Sequence, residues 1–541
     1  MVDVLLIQPP IRDFYLTAKR TIPYGLATIA AALREAGYSV AVLDALATRR
    51  SRVITPPAEM AYLHEYFGTA DRSPFSLFHG YKHFGLGFEV IGRNIRESAA
   101  WMVGISSLFS PYADMAAKTA ETARAALPGG IVVLGGHHPT ALPEAAMQTP
   151  QVDYVLRGEG EACLPALVKA LKEGRPVSEV PGIVYRGSGG ALQIRAPAEI
   201  DDLDRFPLPD LTLVNHRFYR RGRRGTAVVV ASRGCPMTCS YCCMGAGSYA
   251  TYRRRSVTSV LDEIENAVVR FGAGFVDFED ENISLERPWF LDLLGGIQAR
   301  FGRGALELRA MNGLFPPSLD LEAVGAMQRA GFRALNLSLG TTCVLQLRRF
   351  RRPDVRRAFD RALELARACT LEAVGYVIVG APFQKPLDSL TDLLYLAGRR
   401  VLAGVSVFYP APGSLEFNRC LQENLLPPSP LLWRSSGLPL SHATTREETV
   451  TLLRLARILN FMKSLIDRGF PLPEPMPLTE PNLAGVGDRT ELGIILLSGF
   501  LHDGRIRGVD PEGRVFEHRV SLDLARAFVR RLKRIPIRGA R

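Results

Sequence analysis

Short apolar runs alternate with stretches of helical periodicity over roughly the first third of the chain. Apolar runs predict strands at residues 3–8, 39–43, 102–106, 131–134 and 152–156. Apolar residues at helical spacing predict helices at residues 23–36, 111–126 and 160–172. Because strand and helix alternate and the strands are mostly apolar, we expect a parallel sheet covered by helices on both faces. A glycine-rich turn at residues 186–190 predicts a closing hairpin.

A second series of strands and helices begins near residue 227. Strands are expected at residues 227–231, 275–279, 306–309, 334–339, 374–379 and 405–409. Six strand–helix units predict an incomplete parallel barrel, because the closed form has about eight. From about residue 422 the pattern becomes mainly helical and basic, with helices expected at residues 447–468 and 521–533. The predicted fold class is α/β: a Rossmann-like doubly wound domain at 1–200, a linker at 201–225, a partial (β/α)6 barrel at 226–420 and a mainly helical domain at 421–541.

The composition is that of an ordinary soluble protein. The chain has 541 residues, of which 47% are hydrophobic and 22% charged, and this length requires more than one core. Its apolar runs are much shorter than a membrane span, and the first residues lack the basic segment of a secretory signal. We therefore expect a cytoplasmic protein that does not enter a membrane.

The net charge of +12 is concentrated in arginine clusters. They lie at residues 220–224, 253–255, 348–352 and in the tail from 526 to 541. Such clusters can attract nucleic acid, an acidic peptide or a phosphorylated substrate, and they can equally form a solvated basic face. No zinc-finger, RNA-recognition or helix-turn-helix motif is present, so nucleic-acid binding is not favoured.

An excursion at residues 47–100 interrupts the first series and is rich in aromatic residues and histidine. A segment of this length within a compact unit is usually functional or contains helices of its own. A lid over a ligand and aromatic helical packing both remain open.

Small residues follow the predicted strands of the first domain, where doubly wound folds bind ligands. They allow a ligand to approach the backbone closely. These strand ends contain Pro9, Ser106, Ser107, Gly135, Gly136, Gly158 and Gly160.

Four of the eight cysteines lie within nine residues. Cys235, Cys239 and Cys242 have the spacing CxxxCxxC, directly after the first strand of the predicted barrel. Three thiolates can hold three irons of a 4Fe-4S cluster and leave the fourth iron free to bind a small molecule. Structural zinc is the alternative, but it prefers four ligands, and no second cysteine pair follows. The spacing favours the cluster.

This motif, followed by five more strand–helix units, resembles the radical S-adenosylmethionine (SAM) superfamily over about residues 226–417. The resemblance implies that the free iron binds SAM and that an external electron donor of flavodoxin or ferredoxin type reduces the cluster. It also implies SAM contacts at the barrel strand ends and a proline-glycine turn at residues 409–414. The implied SAM-binding residues are Tyr241, Glu279, Arg309, Ser338 and Val379.

Four segments of the first domain resemble the cobalamin-binding domain that precedes the barrel in one large subgroup of this superfamily. The resemblance implies a flat platform of strand ends beneath the corrin ring. The implied cobalamin-binding residues are Pro9, Gly25, Leu26, Ser106, Ser107, Gly135, Gly136, His137, Thr140, Arg157, Gly158, Glu159 and Gly160.

Two missing motifs refine this expectation. The DxHxxG loop, whose histidine binds cobalt in many cobalamin proteins, does not occur, so we expect no protein histidine below the cobalt. The GxGxxG fingerprint of nucleotide binding is also absent after the first strand, which makes nucleotide binding the weaker alternative.

The resemblance implies a cobalamin-dependent radical SAM methyltransferase. It would methylate an unactivated carbon, or phosphorus, by means of methylcobalamin and a 5′-deoxyadenosyl radical. The first alternative is a cyclase or rearrangement enzyme with the same cofactors and no methyl transfer. The second is a non-catalytic cofactor or nucleic-acid binding protein. The substrate is expected to be a small molecule or a peptide, and no catalytic side chain is identified.

Overall fold

The first unit of the protein is built on a seven-stranded sheet. The computed structural model describes residues 2–14, 22–244, 251–479 and 482–541. The strands of this unit are β1 (Val4–Gln8), β2 (Ile11–Asp13), β3 (Val40–Asp44), β4 (Ser51–Val53), β5 (Lys82–Phe84), β6 (Met102–Ser106), β7 (Ile131–Gly135), β8 (Tyr154–Leu156), β9 (Ile183–Arg186) and β10 (Leu192–Ile194). Its helices are α1 (Tyr24–Glu35), α2 (His64–Phe67), α3 (Phe88–Ser98), α4 (Ala113–Ala126), α5 (His137–Ala141), α6 (Pro143–Met147) and α7 (Gly160–Lys172).

The sheet order is β10-β9-β8-β7-β6-β1-β3, and β2, β4 and β5 form a separate small sheet. Strands β3, β1, β6, β7 and β8 are parallel, and the predicted hairpin adds β9 and β10 in antiparallel orientation. From β1 the chain runs first to β3 on one side and then crosses to β6 on the other side. The switch point of the sheet therefore lies between β1 and β6. One hydrophobic cluster packs on each face of the sheet, which confirms the doubly wound prediction.

Helix α1 illustrates how the local sequence positions this unit. It follows Pro23 and ends near Gly37, whose φ of +86° lies in the left-handed region that favours glycine. Its apolar stripe, including Ala30 and Leu33, is buried against the sheet and α7.

The second unit is the predicted partial barrel. Its strands are β11 (Arg220–Arg221), β12 (Arg224–Val229), β13 (Ser232–Arg233), β14 (Arg253–Arg254), β15 (Ala273–Phe278), β16 (Glu307–Ala310), β17 (Ala334–Gly340), β18 (Glu372–Val379) and β19 (Leu402–Val407). Its helices are α8 (Val257–Phe271), α9 (Arg287–Phe301), α10 (Leu321–Ala330), α11 (Val344–Arg349), α12 (Arg356–Ala368), α13 (Pro386–Ala397) and α14 (Leu415–Gln422).

The six barrel strands are β12, β15, β16, β17, β18 and β19. They form two parallel groups of three, and single bridges such as Leu314 to Leu337 connect the groups between β16 and β17. All six predicted barrel strands are present, with ends displaced by a few residues. The predicted domain boundaries stay a prediction.

The C-terminal segment and the excursion share the core of the barrel. The segment contains α15 (Arg446–Asp467), α16 (Arg489–Asp503), β20 (Arg507–Val509), β21 (Val515–Glu517) and α17 (Leu522–Leu532). Phe75 of the excursion packs edge-on against Phe461 of α15, and buried Arg454 donates to the carbonyl oxygens of Tyr66 and Phe75. This part of the excursion therefore packs against the C-terminal segment. Among the described helices, none has the length and apolar character required to cross a bilayer.

Candidate active site

The predicted cluster cysteines follow β13. We call the described residues between β13 and β14, 234–244 and 251–252, the cluster loop, and the two-stranded ribbon of β13 and β14 pairs Arg233 with Arg253 at its ends. Gly234 begins the loop at φ +82°, and its amide donates a 3.1 Å hydrogen bond to Glu281 at the end of β15. These contacts hold the loop at the carboxyl ends of the barrel strands.

The three cysteines are shielded from solvent to different degrees: Cys239 is buried, whereas Cys235 and Cys242 are half-buried. Burial raises the pKa of Cys235, and it raises the pKa of Cys242 to about 12, with neighbouring thiols adding to each shift. The thiols of Cys235 and Cys242 therefore need a metal centre to hold them as thiolates at neutral pH. No three His, Cys, Asp or Glu side chains in the described ranges converge on a site for a single ion. The assignment of these cysteines as cluster ligands stays a prediction.

Arg352 connects three residues that the sequence assigns to the site. Its Nη1 lies 3.1 Å from the Tyr241 hydroxyl and 3.9 Å from Cys239 Sγ. Its Nη2 donates to the carbonyl oxygen and Oγ of Ser338 at 2.7 and 2.9 Å. Arg352 is buried, and its Nε has no hydrogen-bond partner among the described residues. A buried guanidinium with an unused donor fits anionic groups, such as a thiolate or the carboxylate of SAM. The sequence pattern identified Arg352 only as part of a basic cluster.

The acidic segment after β15 contains both paired and unpaired groups. Asp280 is buried and accepts hydrogen bonds from the Ala231 and Ser232 amides, and burial raises its pKa to about 7. Asn282 is also buried, and within the described ranges its Oδ1 has no hydrogen-bond partner. An unpaired buried acceptor favours a ligand with N–H donors, such as the SAM amino group. Glu279, the predicted SAM contact, has an exposed side chain beside this segment.

Arg309 and Val379 are two predicted SAM contacts with different surroundings. Arg309 forms an ion pair with buried Asp277, and its Nε lies 3.1 Å from both carboxylate oxygens. Val379 is fully buried in the core outside the barrel, whereas Ile378 packs in the same cluster as Tyr241. Successive strand residues point to opposite faces, so Ile378 and Val379 lie on opposite sides of β18, and the assignment of Val379 stays a prediction.

A cleft of about 540 Å³ opens at the switch point of the first sheet. Its lining consists of Gln8, Pro9, Pro10, Ile11, Leu46, Ser106, Ser107, Leu108, Phe109 and Tyr112. Ser107 is buried, and its Oγ has no hydrogen-bond partner in the described part of the chain. Gly136 adopts φ +120°, and a Cβ there would lie 2.6 Å from the Ser107 carbonyl oxygen. The cleft thus presents an unpaired hydroxyl beside a turn that requires glycine, and both features fit a ligand held close to the backbone.

The predicted cobalamin residues divide between this cleft and other positions. Pro9, Ser106 and Ser107 line it, and Gly135 pairs with Ser106 in the adjoining strand. Leu26 is instead buried in the core, and Gly25 lies in the first turn of α1.

The loops after β7 and β8 are bonded to each other. Thr140 accepts a hydrogen bond from the Gly158 amide at 3.0 Å, and Arg157 donates to the Thr140 carbonyl oxygen at the same distance. Gly160 lies against Ile29 of α1, where a Cβ would come within 2.5 Å. These positions stabilise the loops rather than line the cleft.

The two histidines after β7 differ in their surroundings. His138 is buried 3.0 Å from Ser110 Oγ, and burial lowers its pKa to about 4, so the ring is neutral. His137 has an exposed side chain at the start of α5, yet the surrounding protein lowers its pKa as well.

Glu159, predicted as a cobalamin residue, connects the two units. Its carboxylate accepts from Arg233 Nη1 at 3.1 Å and from Arg253 Nη1 and Nη2 at 2.9 and 3.1 Å. Arg233 also donates to Glu161 at 2.6 Å. Arg233 and Arg253 stand on the two strands that close the cluster loop, so one carboxylate of the first unit holds both ends of that loop.

The loops after β7 and β19 also meet beside the cysteines. A Cβ on Gly413, in the predicted proline-glycine turn, would lie 3.9 Å from the Cβ atoms of both Ala141 and Cys243. Ala141 ends α5 of the first unit, and Cys243 directly follows Cys242. The carboxyl-end loops of the two units therefore face the same region.

Two family models match the chain in this order: residues 80–168 match the B12 binding domain and residues 229–389 match the Radical SAM superfamily. An uncharacterized methyltransferase of Pyrococcus horikoshii is 25% identical over 385 residues, covering 70% of this chain and 82% of the relative. The cytidylyl-2-hydroxyethylphosphonate methyltransferase of Streptomyces wedmorensis is 23% identical and covers 80% and 84%.

The anaerobic magnesium-protoporphyrin IX monomethyl ester cyclase of Cereibacter sphaeroides is 27% identical, but the match covers only 54% of this chain and 48% of the cyclase. Among solved structures, the radical SAM methyltransferase TsrM of Kitasatospora setae superimposes with a TM-score of 0.59 at 19% identity, covering 77% of this chain and 76% of TsrM. This likeness confirms the fold.

A B12-binding domain followed by a radical SAM barrel defines a class of enzyme that combines two cofactor chemistries. The chain contains both domains of this class in the order that its sequence predicts, and it is similar to cobalamin-dependent radical SAM enzymes. The cofactors of this class are cobalamin, SAM and a 4Fe-4S cluster.

Proposed function

We propose that this enzyme transfers a methyl group to an unactivated carbon, or to phosphorus, of a small-molecule or peptide substrate. The observation that carries the proposal is the convergence of the two sites. Gly413 of the barrel lies beside Ala141 of the first unit and Cys243 of the cluster loop. A substrate between the units would therefore reach both cofactors.

The extent of similarity supports methyl transfer over cyclisation. The match covers 82% and 84% of the two methyltransferase relatives, but 48% of the cyclase relative. Similarity to the two methyltransferases therefore extends along most of their length, whereas similarity to the cyclase covers about half of it.

The residues of the chain have defined tasks in this proposal. When bound, the cluster would supply the electron that cleaves SAM and cobalamin would supply the methyl group. Cys235, Cys239 and Cys242 would bind the cluster, while Arg352 would hold Tyr241 and Ser338 in place around it. Asn282 and Ile378 would contact SAM, and cobalamin would be bound by Ser106, Ser107 and Gly136.

The orientation of these groups accounts for the protein's share of catalysis. Asn282 Oδ1 offers an acceptor to the SAM amino group, and the unused Nε of Arg352 offers a donor to an anionic group. Because both are buried, their hydrogen bonds do not compete with bulk water. Holding the reactants in one orientation removes most of the entropic cost of their encounter.

Labelled SAM tests the proposal. The reconstituted, anaerobic enzyme is incubated with SAM carrying a deuterated methyl group and a panel of candidate substrates, and the products are analysed by mass spectrometry. Label in a substrate-derived product supports methyl transfer. Formation of 5′-deoxyadenosine and a cyclised or rearranged product, with the label only in SAM or methionine, contradicts it and favours the cyclase alternative.

A pair of adjacent cysteines provides a matched control for the cluster assignment. Cys242→Ala should lower the bound iron and abolish 5′-deoxyadenosine formation, because one thiolate ligand is lost. Cys243→Ala changes the next residue, which lies outside the motif, and should retain both. Equal iron loss in the two variants would contradict the assignment of Cys242.

A further inference from the structure

A basic surface lies directly against the cluster loop. Arg348, Arg349 and Arg351 are exposed at the end of α11, and none of them forms an ion pair within the described ranges. Val344 and Leu345 on the same helix are 44% and 67% exposed. We call these five residues the α11 surface. It joins an apolar centre to a cationic rim, a combination typical of protein docking sites.

The backbone connects the α11 surface to the predicted cluster ligands. The amide of Ser240 donates a 2.9 Å hydrogen bond to the Phe350 carbonyl oxygen, and Ser240 Oγ lies 2.9 Å from the Arg349 carbonyl oxygen. Ser240 directly follows Cys239, so one hydrogen bond separates the arginine segment from the cluster loop. A partner bound here would therefore stand close to Cys239.

Contacts with Phe383 fix the conformation of part of this surface. Arg349 donates to the Phe383 carbonyl oxygen at 3.1 Å and lies 5.0 Å from the centre of the Phe383 ring, which fixes its side chain. Exposed Lys385 lies two residues further along the chain and extends the positive charge. The nearby Asp354 is neutralised by Arg356, with Oδ1 2.9 Å from Nε.

We propose that the α11 surface docks a small acidic one-electron carrier protein that reduces the cluster. This inference rests on the proposed function, because cleavage of SAM consumes one electron that must come from outside. The carrier would lose one electron and the cluster would gain it, and no atom is transferred. Acidic side chains of the carrier complement the three arginines, and such complementarity mainly accelerates association.

The test measures electron transfer in the full-length, reconstituted enzyme without SAM turnover. A purified bacterial flavodoxin, reduced to its hydroquinone, is mixed with the enzyme, and cluster reduction is followed by stopped-flow absorbance. The Arg348→Glu/Arg351→Glu variant should lower the second-order rate at low salt by about tenfold or more, and the rate should lose its salt dependence. Arg349 is left unchanged, because its side chain donates to the Phe383 carbonyl oxygen and its own carbonyl oxygen accepts from Ser240 of the cluster loop.

The Arg530→Glu/Arg531→Glu variant is the matched control, since it makes the same charge change at exposed arginines of α17. Its rate should stay within about twofold of the wild type. Equal slowing of both variants, or of neither, overturns the docking surface. Loss of oligonucleotide binding in the Arg348→Glu/Arg351→Glu variant with an unchanged electron-transfer rate also overturns it, because the surface would then contact nucleic acid.

Two measurements separate this inference from the proposed function. Iron quantitation and light-driven reduction with deazaflavin establish that each variant holds a reducible cluster before any rate is compared. A wild-type enzyme without a cluster would overturn the proposed function and this inference together. A normal cluster with unchanged flavodoxin rates would overturn the inference alone.

Discussion

Glu159→Gln tests whether the first unit holds the ends of the cluster loop in place. The Glu159 carboxylate accepts three hydrogen bonds from Arg233 and Arg253, and its side chain is 13% exposed. Glutamine has nearly the same shape but carries no charge and only one acceptor oxygen. Arg233 keeps its bond to Glu161, whereas the other carboxylate near Arg253, that of Glu199, is 3.6 Å away.

The expected loss of free energy follows from the number of hydrogen bonds that the variant loses. A hydrogen bond to a charged group contributes about 1.5–3 kcal/mol, and the variant loses one or two of three, so the contact should weaken by roughly 3 kcal/mol. The open state of the loop would then become roughly a hundredfold more populated, because each 1.4 kcal/mol is a factor of ten. Total stabilities are about 5–15 kcal/mol, so the variant should still fold.

Hydrogen exchange at the β13 and β14 amides measures this opening. The variant should exchange faster at these strands and lose iron faster on dilution, while the amides of the first sheet should exchange as in the wild type. Glu121→Gln is the control, because Glu121 forms an exposed ion pair with Lys118 that contributes about 0–1 kcal/mol. If Glu159→Gln and Glu121→Gln exchange alike at β13 and β14, Glu159 does not hold the loop.

Three further substitutions test the fold around the site. Gly136→Ala should destabilise the first unit by roughly 3 kcal/mol and weaken cobalamin binding, because φ +120° is strained for alanine. Chemical denaturation measures the stability and absorbance titration measures the binding, with Gly135→Ala as the milder control. Burial raises the pKa of Asp392 to about 6, so the folded protein takes up a proton between pH 4 and 6 and this carboxyl lowers stability as pH rises through that window. In Asp392→Asn one oxygen still accepts both hydrogen bonds. Urea denaturation should therefore show stabilisation on the order of 2 kcal/mol above pH 6 and none near pH 4. A constant difference in stability across this range would contradict the raised pKa of Asp392. Arg434→Met should cost roughly 3–5 kcal/mol in the same assay, since it leaves buried Asp13 without its cation, and adding Asp13→Asn should recover part of the loss.

The order of strands and helices was predictable from the sequence because each element has a local pattern. Apolar runs and helical spacing located the parallel strands of the first sheet and the six barrel strands, and the spacing of Cys235, Cys239 and Cys242 indicated the chemistry without reference to any other part of the chain. Pro9, Ser106 and Ser107 were also predictable as cleft residues, since strand ends of a doubly wound sheet meet at its switch point.

Side-chain direction at the strand ends was not predictable to the same precision. A one-residue shift moves a strand side chain to the opposite face, and for this reason Ile378 packs against the same hydrophobic cluster as Tyr241, whereas Val379 belongs to another cluster. The glutamate of the segment after β8 was assigned to cobalamin because of its position, yet Glu159 contacts arginines from the barrel.

The sequence by itself therefore determined the class of fold, the cofactors and the three candidate cluster ligands. Only the tertiary structure decided which distant polar side chains meet: Arg352 with Cys239, 113 residues apart, and Glu159 with Arg253, 94 residues apart. The physical reason is that periodicity reports which face of one element is buried. It does not report which distant group lies opposite, since that depends on how complete units pack together.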